Sequence, residues 1–180
     1  GGIGAGKSTV AKIFSILGIP IYSADDRAKW LMGNDKHLKS QIKDAFGEES
    51  YLSDGALDMY FLAKTVFSDP AKVKTINSLV HPAVGRDFKD WASQQTAPYE
   101  TGSNDALDHV INVSSPLKVR IARTLMRDPF RSEEQVNQII NQQLPDEQKN
   151  ELADFVIKNT DNKLLIPQVL KIHQQLISEN

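Results

Sequence analysis

Gly1-Gly2-Ile3-Gly4-Ala5-Gly6-Lys7-Ser8-Thr9 opens the chain. It follows the spacing G-x-x-x-x-G-K-[ST], with Gly1, Gly6, Lys7 and Ser8 at the fixed positions. Glycines in such a run let successive backbone N–H groups curl around phosphate oxygens with no Cβ in the way. Lys7 then reaches the β and γ phosphates, and the Ser8 hydroxyl is offered to Mg²⁺. The apolar positions Val10, Ile13, Phe14 and Leu17 follow at helical spacing. They predict a helix from Lys7 to Leu17, stopped by Gly18, whose positive N-terminus points at the same anion. The competing explanation, a glycine-rich tag or linker, does not account for that helix. The loop therefore predicts a site for a nucleoside triphosphate in which Gly4, Ala5, Gly6, Lys7, Ser8 and Thr9 carry the phosphates.

Beyond the helix, Ile19-Pro20-Ile21-Tyr22 is a short apolar run long enough for a buried strand, with Ser23-Ala24-Asp25-Asp26 at its carboxyl end. Ligands of open parallel sheets gather at that end of the strands, so Asp25 is the first catalytic candidate. An aspartate is also a good N-cap for a helix from Asp26 to Met32, and one residue can do both. Four helices are expected next: 36–46, 59–67, 70–80 and 82–94. Pro70 and Pro82 mark the last two starts, because proline is tolerated in a first helical turn. No convincing strand separates these helices, which makes them an insertion suited to a second substrate. His81 stands before Pro82 as a boundary residue. Asp44-Ala45-Phe46-Gly47 has the D-x-x-G form of GTPases, but Gly47 is explained as a helix C-cap and no N-K-x-D follows anywhere.

Residues 109–113 alternate as a second strand, and 154–158 form a third. Between them Pro116 opens a helix to about Asp128, with Val119, Ile121, Ala122 and Leu125 as its apolar side. Arg123 and Arg127 share a face of that helix, four residues apart. Pro129 ends it and leaves Arg131 in the next loop. Three guanidinium groups around a break between helices suit a lid that closes on phosphates, since they bind oxygens bidentately and stay charged. The alternative is a solvated face with local pairs to Asp128, Glu133 and Glu134. Ser132 with Gln135 forms a capping box for the next helix, and residues 164–178 form the last. Trp30, Trp91 and the phenylalanines read as packing residues.

A length of 180 residues with 40% hydrophobic content fits one α/β domain with a helical insertion. The net charge of −2 gives no basic field for nucleic acid, and the absence of cysteine excludes disulfides and thiolate chemistry. With no apolar run of membrane length, a cytoplasmic location is expected. A phosphate-binding loop hangs from a strand, so a strand is expected before Gly1. Another is expected between Tyr99 and Thr101. Neither is visible, which leads to the expectation that the real polypeptide contains residues missing from this sequence.

Five stretches together carry a family resemblance: the loop 1–9, Ile-Tyr-Ser-Ala-Asp-Asp-Arg-Ala-Lys at 21–29, Leu-Val-His-Pro-Ala-Val at 79–84, Leu-Met-Arg-Asp at 125–128, and Ala-Asp-Phe-Val-Ile-Lys-Asn at 153–159. In this order, over essentially the whole chain, they resemble bacterial dephospho-CoA kinase, one of the P-loop small-molecule kinases. The resemblance implies a three-layer α/β/α P-loop core with a parallel sheet, at 1–34 and 99–180, bearing a lid at about 123–135. It assigns 35–98 to a helical acceptor-binding subdomain. The implied reaction moves the ATP γ-phosphoryl group to the 3′-hydroxyl of dephospho-CoA, the last step of coenzyme A biosynthesis. Asp25 falls on the family's base, with an indirect Mg²⁺ role through water, and His81 falls near the acceptor. Lys7 and Arg127 complete the catalytic set, with Arg123 and Arg131 on the nucleotide. One departure is Ser23, where the family carries a first aspartate. The rivals are another nucleoside or nucleotide kinase, and an ATP-sensing module without transfer; a sensor needs neither a base nor a γ-phosphate clamp.

Overall fold

The structure is a computed structural model that describes residues 1–66, 69–95 and 108–179. It is helix-rich mixed α/β, with a parallel sheet. The elements in order are α1 (Lys7–Ile16), α2 (Ala24–Asn34), α3 (Lys36–Phe46), α4 (Met59–Val66), α5 (Pro70–Ser93), β1 (Ile111–Ser114), α6 (Leu117–Arg127), α7 (Glu133–Asn141), α8 (Asp146–Glu151), β2 (Phe155–Lys158) and α9 (Leu165–Ser178). The chain divides into two compact units, Gly1–Ile21 with Ala97–Asn180, and Tyr22–Thr96.

In the first unit β1 and β2 pair in parallel, with Ile111 opposite Phe155 and Ser114 opposite Lys158. Their inward side chains, Val113 and Ile157, join Ala5, Val10 and Phe14 from the N-terminal segment and Val169 and Ile172 from α9 in one apolar core. Helix α1 ends in a Schellman motif: the Gly18 N–H donates to the Ser15 carbonyl at 3.0 Å and the Ile19 N–H to that of Phe14 at 3.1 Å. Phe14 and Ile19 then pack in the same core.

That ending explains why 19–22 is not a strand. The Ile19 N–H closes α1, Pro20 has no N–H, and Ile21 is exposed. Tyr22 is engaged in the second unit, where its hydroxyl donates to Asp87 Oδ2 at 2.7 Å. Among the described residues the sheet has two strands, not the three expected. The strand looked for between Tyr99 and Thr101 lies outside the described residues.

The second unit is helical, around Leu31, Leu38, Ile42, Tyr51, Leu62, Val66, Val80 and Ala83. Residues 70–93 form one 24-residue helix, not two meeting at Pro82. An internal proline forfeits one backbone bond and costs about 3 kcal/mol. Here Pro82 lies on the exposed side of α5, where water can satisfy the freed carbonyl, while neighbouring Val80 and Ala83 are buried. Burial overrides the boundary signal. Gly47 does follow the end of α3, donating its N–H to the Lys43 carbonyl, so the D-x-x-G match is a helix end. Near the start of α2, Arg27 donates through Nε to Asp87 Oδ2 at 2.8 Å and pairs through Nη2 with Oδ1. Its guanidinium also lies 4.4 Å from the centroid of Trp30, which is half exposed and not a core residue. Trp91 does pack, with Tyr22 and Phe88.

Candidate active site

The loop before α1 turns on two left-handed glycines, Gly4 at φ 73° and Gly6 at φ 96°. Alternation of left- and right-handed residues turns neighbouring N–H groups to one side and forms a concave anion nest. Thr9 and Val10 both donate to the Gly6 carbonyl, at 3.1 and 3.2 Å, and Ala5 donates to Gly2 at 3.3 Å. The N–H groups of Gly4, Gly6 and Ser8 enter no hydrogen bond among the described residues. These are donors that a helix start leaves over, and an oxyanion satisfies them. Lys7 Nζ folds back to the Gly2 carbonyl at 3.1 Å, so its charge lies across the loop. Lys7, Ser8 and Thr9 are exposed, whereas Ala5 is buried and anchors the loop in the core.

Three residues that the sequence did not single out hold this loop in shape. Asn159, just after β2, donates Nδ2 to the Ala5 carbonyl at 2.8 Å. Its place at the carboxyl end of a strand was a usable signal. The Arg120 guanidinium donates Nε to the Ile3 carbonyl at 3.0 Å, and Gln143 Oε1 accepts the Ile3 N–H at 3.1 Å. Helix α6 therefore reverses the expected burial. Arg120 and Thr124, four residues apart, are its buried residues, while Ala122 is exposed and Val119, Ile121 and Leu125 are only partly covered. The polar stripe wins because the loop offers Arg120 partners, and a charge is buried only when paired.

The remaining predicted residues are spread over both units. Asp25 sits in the first turn of α2, exposed, and its carboxylate enters no hydrogen bond among the described residues. It is not the N-cap, because the Ser23 hydroxyl accepts the Asp26 N–H at 3.4 Å, so the cap lies two residues earlier than expected. His81 lies exposed within α5, not at a helix junction. Arg123 lies near Ser115 Oγ and Asn159 Oδ1, at 3.4 and 3.5 Å, the latter tying it to a residue that touches the loop. Arg127 ends α6 exposed to solvent. Arg131 pairs with Asp128 at 2.5 Å, the local pairing weighed against a phosphate role. The capping box of Ser132 and Gln135 at the start of α7 is present as expected.

A model of the dephospho-CoA kinase family matches residues 1–164. The chain belongs to that family. A dephospho-CoA kinase of Bacteroides fragilis is 35% identical over 182 residues, covering 96% of this chain and 88% of its own length. That of Porphyromonas gingivalis is 33% identical over 181 residues, covering 96% and 89%. A crystal structure from Thermus thermophilus superposes with a TM-score of 0.78 at 29% identity, over 99% of this chain and 93% of that one. As a member of the dephospho-CoA kinase family the chain is a kinase with ATP as a substrate, in keeping with the anion nest at the head of α1. No helix among the described residues is long and apolar enough to cross a membrane.

Proposed function

We propose that this kinase transfers the γ-phosphoryl group of ATP to the 3′-hydroxyl of dephospho-CoA. The observation that carries the proposal is the left-handed glycine pair just before α1, whose N–H groups enter no hydrogen bond among the described residues, in a chain of this family. The reaction forms a bond from the 3′-oxygen to the γ-phosphorus, breaks the bond to the β–γ bridging oxygen, and releases ADP. Phosphoryl transfer asks mainly for alignment and charge neutralisation. The N–H groups of Gly4, Gly6 and Ser8 hold the phosphate oxygens, and Lys7 leaves the Gly2 carbonyl to pair with the β and γ groups. Asp25 takes the proton of the attacking hydroxyl; its exposed and unengaged carboxylate is open to an incoming alcohol.

Mg²⁺ fits the donor set. No cluster of three or more His, Cys, Asp or Glu exists among the described residues, but the exposed Ser8 hydroxyl is the hard oxygen ligand this ion takes alongside substrate phosphates. Ser8 would hold it, and Asp25 would act on it through water. When bound, the ion neutralises charge on the phosphate oxygens. In this proposal 1–34 and 99–180 form a three-layer α/β/α core and 35–98 the acceptor subdomain with His81. Residues about 123 to 135 form a lid in which Arg127, backed by Arg123 and Arg131, closes on the phosphates. The helix break at Asp128–Ser132, between α6 and α7, supports the lid assignment. The test offers ATP with dephospho-CoA, adenosine and AMP in parallel, read by ADP release. Turnover should favour dephospho-CoA by orders of magnitude, and equal or greater turnover of adenosine or AMP would refute the acceptor assignment.

A further inference from the structure

Arg120 is 3% exposed, yet it is the residue of α6 tied most closely to the phosphate-binding loop. Its three nitrogens have separate tasks. Nε donates to the Ile3 carbonyl at 3.0 Å, Nη1 to Asp146 Oδ2 at 2.7 Å, and Nη2 to Gln143 Oε1 at 3.2 Å. The same Gln143 oxygen accepts the Ile3 N–H at 3.1 Å, so both backbone groups of Ile3 are held by one polar cluster. The carbonyl of Arg120 accepts the Thr124 hydroxyl at 2.8 Å, and a Cβ on Gly4 would collide with that carbonyl. A Cβ on Gly2 would likewise collide with the guanidinium. The space on this side of the loop is thus filled from Gly2 to Gly4 by Arg120.

We infer that Arg120 is the positioning residue of the phosphate-binding loop: Asp146 holds its guanidinium, which with Gln143 clamps Ile3 and so presets the N–H groups from Gly4 to Ser8 for triphosphate. Arg120 acts through the loop backbone and does not touch the nucleotide. Geometry requires the planar fork. Three acceptors in three directions match a guanidinium, and an ammonium would serve them as a point charge on a flexible stem. Without a preset loop, ATP binding would have to meet the cost of ordering it, which lowers affinity. The inference rests on the ATP-kinase assignment but not on the acceptor.

The test is ATP binding by calorimetry with no acceptor present, so it reads correctly whichever alcohol is phosphorylated. Losing hydrogen bonds to a charged group predicts about 10- to 100-fold weaker ATP binding for Arg120→Ala, and a similar loss for Arg120→Lys. In turnover assays the KM for ATP should rise while that for the acceptor is unchanged. The network also offers a rescue, because Arg120, Gln143 and Asp146 line a cavity of about 590 Å³ that the truncation enlarges. Guanidinium chloride at non-denaturing concentration should restore much of the ATP affinity to Arg120→Ala, and equal sodium or methylammonium chloride should not. Gln143→Met keeps Arg120 and removes the side-chain amide that carries the shared oxygen, which provides a second test if Arg120→Ala does not fold; it should weaken ATP binding by several-fold. Unchanged ATP affinity in a folded variant of either residue, or recovery by sodium chloride equal to that by guanidinium, would overturn the assignment.

Discussion

Gly6→Ala tests how the loop is held. Gly6 has φ 96°, and a Cβ built there would collide with Asn159 Nδ2. The left-handed conformation costs an alanine about 1–2 kcal/mol. Displacing the Asn159 amide breaks its 2.8 Å bond to the Ala5 carbonyl. A buried carbonyl left unpaired adds about 1–3 kcal/mol. The expected loss is the sum, about 2–5 kcal/mol against a typical stability of about 5–15 kcal/mol. The assay is urea denaturation of four proteins: wild type, Gly6→Ala, Asn159→Ala and the double variant. In the Asn159→Ala background the collision is gone and only the backbone strain remains. The two changes should therefore fall short of additivity by about 1–3 kcal/mol. Additivity within about 0.5 kcal/mol would show that Gly6 and Asn159 do not meet in the folded protein, and would refute the account of the loop.

Asp25→Asn should leave ATP affinity within two-fold of wild type while lowering kcat by roughly 10²- to 10⁴-fold, the usual scale of a lost base. Calorimetry and steady-state kinetics read the two separately, and retained kcat would remove Asp25 from that role. Arg127→Ala should reduce kcat more than ATP affinity, since a closing lid acts mostly in the transition state; a loss confined to affinity would demote it. A third prediction concerns pH. The hydrogen bond from Arg27 holds the Asp87 carboxyl below the usual carboxylate range, and burial, then the bond to Asp87, pushes the Tyr22 phenol up to about 12. The Asp87 contribution to stability is complete above the ordinary carboxylate pKa of about 4 and fades as pH falls through the depressed value. The Tyr22 contribution is complete below the ordinary phenol value of about 10 and fades toward about 12. Asp87→Asn should flatten the acid arm of a stability–pH curve measured by thermal denaturation, and an unchanged acid arm would refute the link.

The first nine residues led to the anion nest, and the apolar spacing of Val10, Ile13, Phe14 and Leu17 before Gly18 led to α1 and its ending, because both patterns encode backbone shape directly. The capping box at Ser132 and the two strands at 111–114 and 155–158 were legible for the same local reason. What failed was non-local. Ile19 to Tyr22 has strand composition, but the Ile19 N–H is spent on closing α1, Pro20 has none, and Tyr22 has a partner in Asp87 that spacing cannot reveal. Pro82 looks like a helix start until the burial of Val80 and Ala83 shows why the helix runs through it. Arg120 drew no notice in the sequence, because only its contacts with Ile3, Gln143 and Asp146 mark it as a buried clamp.

The most direct measurement follows γ-labelled ATP through the purified enzyme with dephospho-CoA and Mg²⁺. Label should move to the 3′-position to give coenzyme A, stoichiometric with ADP, and Lys7→Ala should abolish the transfer. Label recovered as inorganic phosphate with the acceptor unchanged, or transfer undiminished in Lys7→Ala, would contradict the account.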